Sequence, residues 1–239
     1  SSHLGISYAV FCLKKEKSHS VSLSADMYRR FGAFQCNLLL EGFYTRLNHV
    51  FVLEEIGKDE EHNAVIKERR NGQGAEVAGV TVEGKVAYLS LVQLQAGVTW
   101  QKSHYTRPEK WSKDSSVPAE KRIFRTPDWY GYFTATYSPV KPLNIALSGT
   151  YTGSMIVQHM KGYIPKDIAV TTPDFFDMNL KISYDFSLYK FITLQLNAGI
   201  QNIFNAYQRD FDRGKERDSG YIYGPSMPRS YFAGAKLMF

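Results

Sequence analysis

Every second residue, over stretch after stretch of this chain, belongs to one chemical class. Val21, Leu23, Ala25 and Met27 alternate with Ser20, Ser22, Ser24 and Asp26, and Phe34, Cys36, Leu38 and Leu40 alternate with Gln35, Asn37, Leu39 and Glu41. The same reading gives runs at Val80–Val86, Val92–Gln101, Trp129–Tyr137, Asn144–Tyr151, Phe176–Phe186, Ile192–Gln201 and Tyr231–Phe239. Period two is the signature of a strand with two different faces. Most runs approach or span the roughly 9–11 residues that a tilted membrane-crossing strand needs, whereas strands of soluble domains cluster nearer 5–6. Nine strands are predicted, with a tenth candidate at Gly5–Cys12.

The two faces carry the argument further. In the last run, Phe239, Leu237, Ala235, Ala233 and Tyr231 form one side, and Lys236, Gly234 and Ser230 stand on the other with Phe232 and Met238. Elsewhere the polar side is mostly Ser, Thr, Gln and Asn, which suits a crowded, hydrated lumen better than an open aqueous surface rich in Lys and Glu. The apolar sides end in aromatics such as Tyr44, Trp100, Trp129, Tyr137, Tyr151, Tyr184 and Phe186. Amphipathic rings gather where hydrocarbon meets headgroups, forming the girdles of membrane barrels.

Connection lengths give an independent line. Tight links at Tyr28–Ala33, Leu89–Leu91, Ser138–Leu143 and Ser187–Lys190 alternate with polar excursions at Leu53–Glu76, Lys102–Thr126, Thr152–Pro173 and Ile203–Pro228. Outer-membrane barrels have short periplasmic turns and long outward loops, and this order sets the C-terminus on the periplasmic side. Four structureless loops longer than about 15 residues are foreign to a compact domain. The expected fold is therefore an all-β, antiparallel, up-and-down transmembrane β-barrel. A complete small barrel of ten strands and a soluble β-sandwich binding module are the two alternatives.

Composition changes little. The 239 residues hold no run near 18 apolar positions, so no membrane helix is expected. A net charge of +6 is spread through loops where bases and acids interleave, and no nucleic-acid motif accompanies it. Cys12 and Cys36 lack metal spacing and lie on apolar strand faces. The chain opens Ser1-Ser2-His3-Leu4 without an export signal, and the strand count points to the C-terminal 9–10 strands of a larger barrel.

One segment carries a family resemblance. Leu194-Gln-Leu-Asn-Ala-Gly-Ile-Gln-Asn-Ile-Phe-Asn-Ala-Tyr207, the stretch Asp218-Ser-Gly-Tyr-Ile-Tyr-Gly-Pro-Ser-Met-Pro-Arg-Ser-Tyr-Phe232 and the terminal Phe239 resemble the C-terminal end of TonB-dependent outer-membrane receptors, in the manner of the Bacteroides group. The matching positions are Asn202, Phe204 and Asn205, then Gly224, Pro225, Pro228, Arg229 and Tyr231. Phe124-Arg-Thr-Pro-Asp128 is similar to the family's loop-to-strand lead-ins. The resemblance implies a barrel of about 22 strands, filled by an N-terminal plug that this sequence lacks. It implies a Gram-negative outer membrane, with membrane lipid around the barrel. It also implies uptake of a scarce nutrient (siderophore, cobalamin, haem or glycan), driven by an inner-membrane energy-coupling complex acting through the plug. Tyr231 and Phe239 resemble the signal read by the barrel-assembly machinery.

Catalysis is not expected. The six histidines show neither metal-ligand spacing nor a nucleophile–base neighbourhood, so no metal or cofactor is assigned. Asp210, Asp212 and Asp218 depart from calcium-loop spacing and read as solvated acids, and His159 reads as a plain loop histidine. Loop aromatics Tyr105, Trp111, Tyr163, Tyr207, Tyr221 and Tyr223 are candidate ligand contacts, with girdle or loop packing as the competing role. Replacing Leu196 by Arg is expected to harm assembly far more than replacing Gln195.

Overall fold

A computed structural model describes residues 16–59 and 64–239, and the candidate strand at Gly5–Cys12 lies outside them. The strands are β1 (Lys17–Phe31), β2 (Phe34–Asn48), β3 (Phe51–Asp59), β4 (Ala64–Asn71), β5 (Ala75–Tyr88), β6 (Val92–Glu109) and β7 (Glu120–Arg122). They continue as β8 (Trp129–Val140), β9 (Leu143–Thr152), β10 (Ile156–His159), β11 (Ile168–Thr171), β12 (Phe175–Tyr189), β13 (Ile192–Gln201) and β14 (Ser230–Met238). One antiparallel sheet runs β1-β2-β5-β6-β8-β9-β12-β13-β14, with β7 attached to β6, so all nine predicted strands lie side by side in chain order. Among the described residues β1 and β14 do not pair, and the sheet is an open barrel wall.

Among the described residues the wall has no second layer. Every substantial contact between strands joins hydrogen-bonded neighbours, which removes the β-sandwich alternative. Burial along β6 shows what replaces a core. Inward-facing Thr99, Gln101 and Ser103 are only 6%, 8% and 8% exposed, while outward Val98 and Trp100 are 43% and 40% exposed. Polar inside and apolar outside inverts the rule for a water-soluble domain and fits a strand between lipid and a wet lumen.

Inward polar groups satisfy one another across the strands. The hydroxyls of Ser20 and Thr45 lie 3.0 Å apart and those of Thr81 and Thr99 2.9 Å apart. Asn37 donates to Asp26, and Gln195 donates to Asp185 at 2.7 Å. Gln95 donates to Glu83 at 3.1 Å and to the Tyr132 hydroxyl at 2.8 Å, and that hydroxyl donates to Glu83 at 2.6 Å. Such lateral bonds hold a sheet that lacks a hydrophobic core on its concave side.

The turns follow the predicted alternation, with one correction. Gly32, at φ 58°, closes the β1–β2 turn, and left-handed Leu89 (φ 51°) sits in the β5–β6 link. At the other rim the long connections are partly ordered strand. β3 pairs with β4, β10 with β11, and β6 continues to Glu109 where a loop was expected from Lys102. The sequence reading misses these pieces because charges such as Lys67-Glu-Arg-Arg70 sit on strands that project beyond the membrane, where no face is required to be apolar.

Candidate functional site

The packed interior of the protein lies in the long loops. Met155, Val157 and Tyr221 are 7%, 0% and 4% exposed and pack with Val170 and Tyr223. This small core joins the β10–β11 hairpin to the 202–229 connection.

His159 and Asp212 form its centre. Both are buried, and His159 Nε2 lies 3.0 and 2.9 Å from the two Asp212 carboxylate oxygens. The imidazole stacks on Tyr221 at 3.7 Å between ring centres and 7° between planes. Asp210 accepts from the hydroxyls of Tyr221 at 2.8 Å and Tyr223 at 2.6 Å. Burial of Asp210 pushes its carboxyl up, but the bonds from Tyr223 and Tyr221 outweigh this and hold it below its ordinary value. Tyr223 is pushed up to about 12, first by burial and then by its bond to Asp210, and Tyr221 is raised for the same reasons.

Other side chains extend the lock across three loops. Gln208, 1% exposed, donates to the Tyr221 carbonyl at 3.0 Å and accepts from the Tyr223 amide at 2.9 Å. Asp218 accepts from the Met160 amide at 2.8 Å. Asp167 accepts from the Ser112 hydroxyl at 2.5 Å and from the Lys161 amide at 2.7 Å. Arg125 donates to the carbonyls of Ile222, at 2.6 Å, and Gly220, while its own amide reaches Ile156 at 2.8 Å. The connections β6–β8, β9–β12 and β13–β14 thus form one bonded platform. Of the acids read from sequence as solvated, Asp210 is exposed and Asp218 half-buried, while the Asp212 side chain is buried; all three accept bonds within the platform, and no group of metal-ligating side chains occurs among the described residues.

The family-motif positions form a second, adjacent knot. Asn202 (φ 51°) and Asn205 (φ 56°) both adopt the left-handed conformation that a short polar side chain tolerates. Asn202 Nδ2 donates to the carbonyls of Ala206 and Met227, each at 3.0 Å, and its Oδ1 accepts from the Ala206 amide at 2.8 Å. Asn205 Oδ1 accepts from the Arg229 amide at 2.9 Å. Phe204, 58% exposed, sits 5.8 Å from Phe176 on the outer aromatic belt. A Cβ on Gly224 would come within 2.6 Å of the Phe175 ring, and the Pro225 carbonyl accepts from the Gln208 amide at 3.2 Å. Pro228 precedes Arg229 at the lead-in to β14. With Asp177, Asn179 and Gln201, this knot lines a polar recess of about 330 Å³ on the inward side.

The aromatic candidates are not brought to one place. Tyr163 is 56% exposed, Trp111 donates to the Pro118 carbonyl at 3.1 Å and packs edge-on against Phe124, and Tyr207 lies under the Arg209 guanidinium. Tyr105 is half-buried on β6, and Tyr221 and Tyr223 are embedded in the platform. Sequence reading passed over Arg125, Gln208 and the His159–Asp212 pair. No spacing signals a contact 53 residues apart. Tyr231 and Phe239 project freely, at 71% and 91% exposed.

Residues 7–203 match the family described as TonB dependent receptor-like, beta-barrel. The chain belongs to that family of outer-membrane barrels, which are transporters of Gram-negative bacteria and not enzymes. No curated protein matches it. Among solved structures it is similar to the ferripyoverdine receptor of Pseudomonas aeruginosa, with TM-score 0.61, 14% identity and coverage of 95% of this chain and 27% of that one. It is similar to the ferric enterobactin receptor of the same organism, with TM-score 0.59, 17% identity and coverage of 95% and 32%. The ferric-catecholate import receptor of E. coli K12 gives 0.58, 18%, 95% and 28%. The chain therefore spans less than a third of those receptors' lengths.

Proposed function

We propose that residues 1–239 form the C-terminal part of a larger receptor that takes up a scarce nutrient across the outer membrane. The observation that carries this reading is the open wall of nine strands, apolar outward and polar inward, whose long loops knit into one platform. A wall of this kind needs further strands to close and a plug to fill it. Both are assigned to the parent chain, with the inner-membrane energy-coupling complex acting through the plug. The nutrient is a siderophore, cobalamin, haem or glycan, held at the outward loops. Tyr163, Trp111, Tyr207 and Tyr105, on separate stretches, are its candidate contacts, and Tyr221 and Tyr223 support the platform. Tyr231 and Phe239 serve as the assembly signal, a role that fits two rings that are 71% and 91% exposed among the described residues.

The test is growth of the host after deletion of the complete receptor gene, with iron (as siderophore or haem), cobalamin or glycan made limiting in turn. Loss of growth on one nutrient, restored by the intact gene, is expected. Undiminished growth on every one overturns the proposal.

A further inference from the structure

We infer that the recess beside the Asn202 knot is a subsite for one neutral, hydroxylated ring of the nutrient, which makes that nutrient a glycan. The inference rests on the receptor reading above and narrows it. The recess lies on the inward side, where β12 begins and β13 ends, next to the bonded platform. A nutrient entering past the long loops meets this end of the wall first. At about 330 Å³ the recess stands at the small end of ligand sites, which run from about 300 to 1,000 Å³. It has room for one ring, not for a whole ferric chelate, porphyrin or corrinoid.

Bonds within the wall fix what the recess offers. The Asn179 side-chain oxygen accepts from the Asn202 backbone amide at 2.9 Å, and that of Gln201 accepts from the Ser230 hydroxyl at 3.2 Å. Both side chains are thereby oriented, with their NH₂ groups left as uncommitted donors. Asp177 supplies the matching acceptors. Its Oδ1 is closed off from solvent and has no partner among the described residues. A buried acceptor left unbonded costs free energy until a donor arrives, and a carboxylate turns readily about its last bond to present either oxygen. Asp177 and Asn179 are successive inward residues of β12, about 7 Å apart. Gln201 stands across from Asn179, one step beyond the Leu180–Ile200 pair. Donors and acceptors in alternation suit hydroxyls, each of which donates and accepts. Pro225 and Met227 add apolar surface for the C–H face of the ring. No residue bordering the recess is basic. Lys181 lies four residues from Asp177, about 13 Å along the strand, and Arg229 has the parity of outward Tyr231. The anionic groups of a ferric chelate or haem call for Arg or Lys and find neither. The metal-bound oxygens of a siderophore also carry no proton to give to Asp177.

The experiment is a calorimetric titration of the complete receptor in a detergent without a sugar headgroup. The probes are neutral oligosaccharides of glucose, mannose, galactose, xylose and fructose, set against ferric enterobactin, haemin and cyanocobalamin. The wild type should bind at least one oligosaccharide and none of the other three ligands. Asp177→Ala removes an oxygen that no internal group needs, so it should assemble normally and bind that sugar at least about tenfold more weakly. Gln201→Ala should weaken binding about fivefold. Asp185→Asn, at the short-turn end of the same inward face, should bind as the wild type does. A wild type that binds no oligosaccharide, or prefers one of the other three ligands, overturns the inference whether or not the variants assemble. Unchanged affinity in correctly assembled Asp177→Ala or Gln201→Ala overturns it too. The receptor reading is judged separately, because a gene deletion that impairs growth only on limiting iron or cobalamin keeps that reading and overturns this one.

Discussion

His159 and Asp212, on two different long loops, meet edge-on with their side chains buried, His159 Nε2 lying 3.0 and 2.9 Å from the two carboxylate oxygens. Removing one partner of a buried hydrogen-bonded pair leaves the other unsatisfied, at about 1–3 kcal/mol. Asp212→Ala should therefore open the platform locally and leave the wall intact. Trypsin should cleave after Arg213, Lys215 or Arg217 many times faster than in the wild type, with unchanged heat-modifiable mobility of the barrel. Unaltered cleavage would show that the pair does not hold the loops.

Lipid exposure predicts an asymmetry between adjacent residues. Leu196 faces outward at 43% exposure, while Gln195 faces the lumen and donates to Asp185 at 2.7 Å. An Arg on the lipid side costs about 2–4 kcal/mol near the bilayer midplane. Leu196→Arg should lower the folding yield in lipid vesicles far more than Gln195→Arg. Equal yields would refute the assignment of faces.

Asn202 combines a left-handed backbone with side-chain caps. Asn202→Ala loses both, at about 1–2 kcal/mol for the conformation and about 1 kcal/mol for each hydrogen bond. Asn202→Gly keeps the backbone freedom and should recover roughly the conformational part. Measured loop opening, by hydrogen exchange over residues 202–229, should rank wild type below Gly and Gly below Ala. A Gly variant as disturbed as Ala would mean that the caps alone matter.

Asp210 and its two tyrosines give the platform a broad pH window. Tyr223 is raised in the folded state from about 10 to about 12, so its contribution is complete below the unfolded value and is lost as pH climbs through the folded one. Asp210 is lowered, so its contribution is present above its ordinary value and is lost as pH falls through the folded one. A late tyrosinate absorbance step near pH 12 is expected, and Tyr223→Phe should remove it. A wild type without that late step contradicts the arrangement.

Much of the wall was legible in the sequence. Val92–Trp100 and Ile192–Ile200 alternate strictly, and Phe34–Leu40 does so but for Leu39, because each residue must meet either lipid or water. The alternation of tight and long links at Leu89–Leu91 and Thr152–Pro173 was visible too, because strand ends and the polar residues between them mark each link in the chain. The Asn202–Asn205 and Gly224–Arg229 motif was legible as family pattern, but its purpose, a knot of left-handed caps, was not.

What the residue order decided alone is the parity of each strand, because a two-solvent boundary imprints itself locally, residue by residue. What only the tertiary structure decided is the platform. The partners of Arg125, His159, Gln208 and Asp210 are set by how three distant loops fold back over one rim. Beyond the membrane no period is imposed on the chain, so nothing in those segments announces which acid will be buried and which tyrosine will cover it.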